Sequence, residues 1–263
     1  MIDIHTHSYP GNVCEKVMGY LAELSGKTPV GDGTFEKLVQ YGKNDVIDTC
    51  VMLNIAAKPE YVEDVNDYSE QCGRTPGIVA FGSVHPYGAD IGAQIDGIKK
   101  RGLCGIKLHP ASQHIDILDD RSDYMFAAIE SSGLPVLMHS GWDPLDMEAK
   151  LARPQDEAEI LRRHPHLKMI LAHLGGMCVW DDVEEYLVGR DVWFDTANCS
   201  RFVGDMATYE RILKRHGADR VLLGSDYPWE RATDEIAVLE KFGLSDGDME
   251  KICDKNARRL LGL

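Results

Sequence analysis

Short apolar segments alternate with longer amphipathic segments along this chain of 263 residues. Each apolar segment is bounded by turn residues, and helical periodicity follows it, which is the pattern of βα units in a parallel sheet. From the second segment onward, the starts are roughly 25 to 35 residues apart, enough for one strand, one helix and two loops. Strands are predicted at 2–5, 46–55, 78–84, 103–109, 135–139, 168–173, 192–196 and 220–226.

Eight consecutive units of this kind predict an α/β protein with a (β/α)8, or TIM-barrel, fold in one domain covering residues 1–263. The length suits a single large core, and no Pro-rich, Ser-rich or low-complexity segment marks a domain boundary. A doubly wound open sheet contains similar units, but the glycine motifs that bind dinucleotides or nucleoside triphosphates do not follow the first strand. Helices are predicted at 120–132, 153–164, 205–216, 233–242 and 245–261.

The segment 8–45, between the first and second predicted strands, is longer than the other connections and rich in glycine. Long loops in compact domains often carry function. We therefore predict a long first loop that folds over the mouth of the barrel as a lid.

Composition limits the partners and the compartment. The chain has 43 acidic and 28 basic residues and a formal net charge of −15, which repels nucleic-acid backbones and anionic membranes. Seven isolated cysteines, without a Cys-x-x-Cys pair, predict a reduced, cytoplasmic protein, and neither a secretory signal nor a membrane-spanning run is evident. We expect a small-molecule substrate, no nucleic-acid or membrane partner and, because symmetric dimers are common, a homodimer.

Histidines and a carboxylate stand at the C-terminal ends of the predicted strands, where barrel enzymes have their active sites. His5 and His7 are two residues apart, so an extended strand points both imidazoles to the same side. His139 ends the fifth strand and Asp226 ends the eighth. We predict that these four residues hold one divalent ion, zinc or else manganese, and that Asp226 binds the ion, accepts a proton from its water, or does both.

Other strand-end residues leave several roles open. His173 could be a ligand of a second metal ion or a general acid. Lys107 could be carboxylated into a bridge between two ions, could clamp an anionic substrate, or could pair with a carboxylate. His109 precedes a proline and is a candidate partner of a ligand. Trp142 and Trp229 follow the His139 and Asp226 motifs, and they could line the pocket or simply pack.

Six motifs together form a specific combination: Asp3-Ile-His-Thr-His7, Gly105-Ile-Lys-Leu-His-Pro110, Met138-His-Ser-Gly141, Ala172-His-Leu-Gly-Gly176, Gly224-Ser-Asp-Tyr-Pro-Trp229 and Asn256-Ala-Arg-Arg-Leu260. Over essentially its whole length the chain resembles the amidohydrolase superfamily, and more closely its amidohydrolase-2 branch. The resemblance implies a TIM barrel. Because the first predicted strand starts at residue 2 and the last predicted helix ends the chain, we expect no β-sandwich domain of the kind that many relatives carry. The resemblance also implies one divalent ion, usually zinc, on His5, His7, His139 and Asp226, with His173 assisting catalysis.

The resemblance implies two possible chemistries, hydrolysis of C–O or C–N bonds, as in dicarboxylate lactonases, and non-oxidative decarboxylation of aromatic or unsaturated acids. In a hydrolase, Asp226 would take a proton from the metal-activated water, and His173 would stabilise the oxyanion or protonate the leaving group. A decarboxylase favours an arginine clamp, which the first loop lacks, although Arg231 or Arg201 could supply it. We predict a metal-dependent hydrolase of a lactone, ester or amide, with a metal-dependent decarboxylase as the alternative.

Three further classes are weaker alternatives. The first motif also resembles the opening of a PHP-type phosphoesterase, but that site needs additional metal-binding histidines. A TatD-like nuclease is disfavoured by the acidic charge and by Lys107, where a carboxylate ligand is expected. A non-catalytic metal-binding protein would not need the extra histidine at position 173, because a structural zinc is saturated by four ligands.

Overall fold

Eight parallel strands follow one another in chain order around a barrel in the computed structural model, which describes residues 1–148 and 150–263. Each strand pairs with the next, and the predicted (β/α)8 fold is confirmed. After the eighth strand Tyr227 pairs with Thr6, and the Ile4 N–H donates to the Leu223 carbonyl at 2.8 Å, so the last strand lies against the first. The strands are β1 (Ile2–Thr6), β2 (Thr49–Leu53), β3 (Ile78–Ser83), β4 (Ile106–Leu108), β5 (Val136–Met138), β6 (Met169–Leu171), β7 (Trp193–Asp195) and β8 (Val221–Leu222).

Helices occupy the connections, and all of the predicted helices are present with slightly different ends. Local sequence signals explain their limits. The helix Asp120–Ser132, for example, begins where Asp119 accepts the Ser122 N–H and ends at Gly133 with a left-handed φ of 74°. The helices are α1 (Gly11–Ser25), α2 (Phe35–Asn44), α3 (Val62–Gly73), α4 (Ile91–Lys100), α5 (Pro110–Gln113), α6 (Asp120–Ser132), α7 (Pro154–Arg163), α8 (Trp180–Tyr186), α9 (Cys199–Phe202), α10 (Met206–His216), α11 (Ala232–Leu239), α12 (Asp246–Glu250) and α13 (Asn256–Leu261).

The connection between β1 and β2 differs from the predicted long loop, because it contains the two helices α1 and α2. Glycine is permitted inside helices as well as in loops, and Gly19 lies within α1. Gly26 ends that helix with a left-handed φ of 66°, and Thr34 begins α2 by accepting the Lys37 N–H. The segment is therefore mostly helical, and its proposed action as a lid stays a prediction.

Apolar side chains pack in two layers. The smaller cluster comes from most of the strands and fills the inside of the barrel, while the larger one lies between the strands and the helices. Gly105 leaves room for this filling, because a Cβ there would stand 2.4 Å from the Phe81 ring. Among the described residues, every helix is too short or too polar to cross a bilayer. The apolar filling ends below the C-terminal ends of the strands, where the polar residues begin.

Candidate metal centre

A cavity of about 160 Å³ opens at the C-terminal ends of the strands. Side chains of α1 and of the connection that follows it, including Leu21 and Lys27 respectively, form part of its wall. The fold therefore brings together nearly all the residues proposed from the sequence. Of the eleven residues proposed, all but Arg201 and Arg231 line the cavity: His5, His7, Lys107, His109, His139, Trp142, His173, Asp226 and Trp229.

An irregularity in β1 turns its two histidines toward this cavity. Asp3 pairs with Cys50, whereas Thr6 pairs with Met52, so β1 contains one residue more than β2 over this stretch. Ile4 packs inside the barrel, so in a regular strand the next residue, His5, would point to the outer face. The extra residue shifts the alternation by one position. The strand can therefore fill the barrel with Ile4 and still present His5 and His7 to the cavity.

Three lone pairs converge at the floor of the cavity. Oδ1 of Asp226 lies 3.0 Å from Nε2 of His7 and 3.5 Å from Nε2 of His5. Nδ1 of His5 donates to Asp195 at 2.8 Å, and Nδ1 of His7 donates to the Leu53 carbonyl. Because these bonds hold the ring hydrogens on Nδ1, both Nε2 atoms face the carboxylate without a hydrogen. A divalent cation satisfies this donor set, and the residues therefore fit one.

His139 and His173 lie beside this group. Nδ1 of His139 is 3.0 Å from Nε2 of His173, whose Nδ1 donates to the Ala197 carbonyl at 2.9 Å. Oδ1 of Asp195 accepts the backbone N–H of His173 at 2.8 Å, so one buried carboxylate orients both His5 and His173. Of the four predicted ligands, His5, His7 and Asp226 form one group, whereas His139 is grouped with His109 and Asp143 and contacts His173.

A second group contains His109, His139 and Asp143, and its geometry is less suited to a metal ion. The Nε2 atoms of the two histidines lie 3.6 and 4.0 Å from Oδ2 of Asp143. The two imidazole rings are stacked, with centroids 4.2 Å apart and planes inclined by only 3°. Since imidazole binds metal with an in-plane lone pair, stacked parallel rings cannot both point at one ion. The rings of His5 and His7 are inclined by 69° and can do so.

Lys107 lies at the floor of the cavity, with Nζ 3.2 Å from Nε2 of His5. No ion pair joins it to a carboxylate of residues 1–148 or 150–263, so the direct pairing considered from the sequence is not formed. Burial lowers the pKa of Lys107 to about 8, although Asp226 and Asp195 act in the opposite direction. Anion binding and carboxylation stay as predictions for this lysine.

Burial dominates the electrostatics of the imidazoles. It lowers the pKa of His139 and of His173 to about 4, so both rings are neutral near pH 7. Neutral imidazole is the form that binds metal. Burial also raises the pKa of Asp195 to about 6, and the surrounding hydrogen bonds and charges only partly offset this effect.

The arginine proposed as a substrate clamp is used elsewhere. Arg231 forms a two-point ion pair with Asp45, in which its Nε donates to Oδ2 at 2.7 Å, and it does not line the cavity. Arg201 donates to the Trp229 carbonyl at 2.7 Å and is also outside the lining. The cationic side chains in the cavity wall are those of Lys27 and Lys107.

Sequence reasoning did not single out three residues that the fold adds to the site. Asn198 has a left-handed φ of 58° and donates its side-chain amide to Oδ2 of Asp226. Asp143 follows His139 by four residues, which is the signal that could have identified it. Lys27 lies within the segment 8–45, and nothing in its local sequence marks it as a cavity residue.

The fold and the motifs agree with known proteins. At a TM-score of 0.74 and 17% identity, the chain is similar to 2,6-dihydroxybenzoate decarboxylase complexed with 2,6-dihydroxybenzoate, covering 100% of this chain and 99% of that one. A dihydroxybenzoic acid decarboxylase from Polaromonas sp. with bound manganese and 2-nitroresorcinol is similar at a TM-score of 0.70 and 16% identity, with 100% of this chain and 96% of that one covered.

A probable 2-pyrone-4,6-dicarboxylic acid hydrolase from Acinetobacter baumannii, with citric acid bound, is similar at a TM-score of 0.69 and 14% identity, with 100% of this chain and 99% of that one covered. Such low identities establish the shared fold alone. No curated protein sequence matches the chain. The sequence model of the amidohydrolase-2 family, described as amidohydrolase, matches residues 2–263, and the chain therefore belongs to this enzyme family.

Proposed function

We propose that the protein is a metal-dependent hydrolase that cleaves a C–O or C–N bond of a small molecule such as a lactone, ester or amide. The observation that carries this proposal is the convergence of Nε2 of His5, Nε2 of His7 and Oδ1 of Asp226, with the ring hydrogens held on the opposite nitrogens. These residues, with His139, would hold one divalent ion, zinc or manganese. Such an ion supplies Lewis acidity and lowers the pKa of water that it binds.

Asp226 is placed to act as the general base. Its Oδ2 accepts the Asn198 amide, which fixes the carboxylate, and its Oδ1 lies at the converging lone pairs. A carboxylate held in this way can take the proton of an attacking water without first rotating. Asn198 thus positions the base rather than touching the substrate.

His173 is placed to pass a proton to the leaving group. Because Nδ1 donates to the Ala197 carbonyl, Nε2 keeps its lone pair, which lies in the cavity wall 3.0 Å from Nδ1 of His139. The ring can therefore take up a proton inside the cavity and deliver it to the departing oxygen or nitrogen. The same lone pair would suit a second metal ion, and the metal stoichiometry distinguishes these two roles.

Decarboxylation of an aromatic or unsaturated acid is a second candidate. The observation that favours it is the ammonium of Lys107, 3.2 Å from His5 at the cavity floor, where a substrate carboxylate could lie. Hydrolysis is preferred because Arg231 and Arg201 are engaged elsewhere, so the part of the cavity wall formed by residues 1–148 and 150–263 contains no bidentate clamp for a carboxylate. The similarity to decarboxylases of known structure makes the second candidate worth testing in parallel.

The test combines elemental analysis with turnover in isotopically labelled water. A hydrolase transfers label from water into the newly formed carboxylate. Close to one metal equivalent per chain leaves His173 as the proton carrier, and close to two makes it a ligand. Lactones, esters, amides and hydroxybenzoic acids are assayed together with a headspace measurement of carbon dioxide. Carbon dioxide release without incorporation of label would replace hydrolysis by the second candidate, and undiminished turnover by metal-free protein would overturn both.

A further inference from the structure

We infer that Lys27, on the connection between α1 and α2, binds an anionic group of the substrate at a distance from the metal centre. The substrate class is then a small acid with one ring, which carries a carboxylate away from the bond that reacts. This inference rests on the proposed function in that it assumes a substrate in this cavity. It adds a specificity-determining residue that lies outside all the strand-end motifs.

The ammonium of Lys27 is held in the cavity wall by an aromatic ring. Its Nζ lies 3.1 Å from the centroid of the Phe202 ring, and both residues line the cavity. Gly26, with its left-handed φ of 66°, ends α1 immediately before Lys27 and redirects the chain. A cation on an aromatic face is held in position and still has donors directed elsewhere.

The ammonium of Lys27 takes part in no ion pair over the described ranges 1–148 and 150–263. Partial burial and the nearby charge of Arg201 lower its pKa, and Glu230 acts in the opposite direction. One oxygen of Glu230 already accepts the Ser200 hydroxyl. The ammonium of Lys27 is therefore available to pair with an incoming anion at the cavity wall.

The rest of the cavity indicates the shape of the ligand. Apolar and aromatic side chains, among them Leu21, Trp142, Met177 and Trp229, share its wall with the polar residues of the floor. The volume of about 160 Å³ is close to the ~150 Å³ of an engineered cavity that admits benzene. A single ring thus fits the space, and Lys27 provides a point charge for a carboxylate on that ring.

The experiment compares Lys27→Met with Lys16→Met in the metal-loaded protein. Both variants remove one ammonium from the same segment, but Lys16 is exposed on α1 and is not part of the cavity wall. The probes are isophthalate and its monoamide, which differ by one negative charge. Their affinities are measured by quenching of tryptophan fluorescence, to which Trp142 and Trp229 contribute, and by calorimetry.

The unmodified protein is expected to bind isophthalate about tenfold more tightly than the monoamide. Lys27→Met should remove this preference, and Lys16→Met should retain it. Any of three results would overturn the inference. They are equal affinities of the two probes for the unmodified protein, a preference for isophthalate that survives in Lys27→Met, and an equal loss of affinity for both probes in that variant. Because binding is measured without turnover, a protein that shows the preference but hydrolyses nothing would refute the proposed function and leave this inference standing.

Discussion

The cavity contains two groups that each have two histidines and one aspartate, and they differ in the orientation of the imidazole rings. His5 and His7 are inclined by 69° and direct their lone pairs toward Asp226. In the other group, His109 and His139 are stacked at 3°, with Asp143 near the ring edges. Similar residue types at similar distances thus produce one group that fits a metal ion and one that does not. Ring orientation, together with the bonds to the distal nitrogens, distinguishes them.

The largest expected effect comes from replacing the aspartate of each group in turn. Asp226→Asn should remove the metal and lower turnover by about 10³-fold or more, because a charged ligand and the general base are both lost. Asp143→Asn is the matched control and should keep the metal. Elemental analysis and steady-state kinetics measure both effects. Loss of metal from Asp143→Asn, with retention in Asp226→Asn, would exchange the roles of the two groups.

His173 sharpens the comparison because it contacts His139 and lies next to the proposed centre. His173→Ala is expected to reduce kcat by at least ~10²-fold through loss of the proton carrier, without changing metal content. The measurement pairs kcat with the metal stoichiometry of the same preparation. If one metal equivalent disappears together with activity, His173 is a ligand and the centre is binuclear.

Replacing Asn198 tests whether the hydrogen bond that fixes the Asp226 carboxylate contributes to metal binding by the first group. The Asn198 amide holds Oδ2 of Asp226, whereas the backbone N–H of Leu145 is the donor to Asp143. Asn198→Ala should weaken metal affinity by about 10- to 100-fold, as expected for a partner of a ligand. Competition with a chelator gives the affinity. An unchanged affinity would show that Asp226 needs no such support.

The smallest effect concerns the stability of the metal-free protein at low pH. Burial lowers the pKa of His139 from 6.5 to about 4, so between these values the ring is protonated in the unfolded chain and neutral in the folded one. The unfolded state then binds more protons, and the free energy of unfolding falls as the pH falls through this window. Thermal denaturation should therefore show that His139→Asn loses less stability than the unmodified protein when the pH is lowered from about 7 to about 5. Identical losses would contradict a neutral, buried His139.

The order of the strands and the residues at their ends could be predicted from the sequence. Apolar runs, helical periodicity and caps are local signals, and each observed strand lies within or overlaps its predicted range. The motifs also identified the histidines, the aspartate and the lysine at the metal centre and the cavity floor. The helical content of 8–45 could not be predicted in this way, because glycine is compatible with both helix and loop.

By itself, the sequence determined a barrel of eight βα units with histidines and a carboxylate at one end. Only the tertiary structure decided how these groups are oriented and with what they pair. The extra residue in β1 turns His5 toward the cavity, Asp45 forms an ion pair with Arg231, and the Phe202 ring contacts the ammonium of Lys27 in the cavity wall. Each of these outcomes depends on contacts between residues far apart in the chain. Local periodicity encodes which face a residue occupies in a regular element, whereas packing between elements sets its register, rotamer and partner.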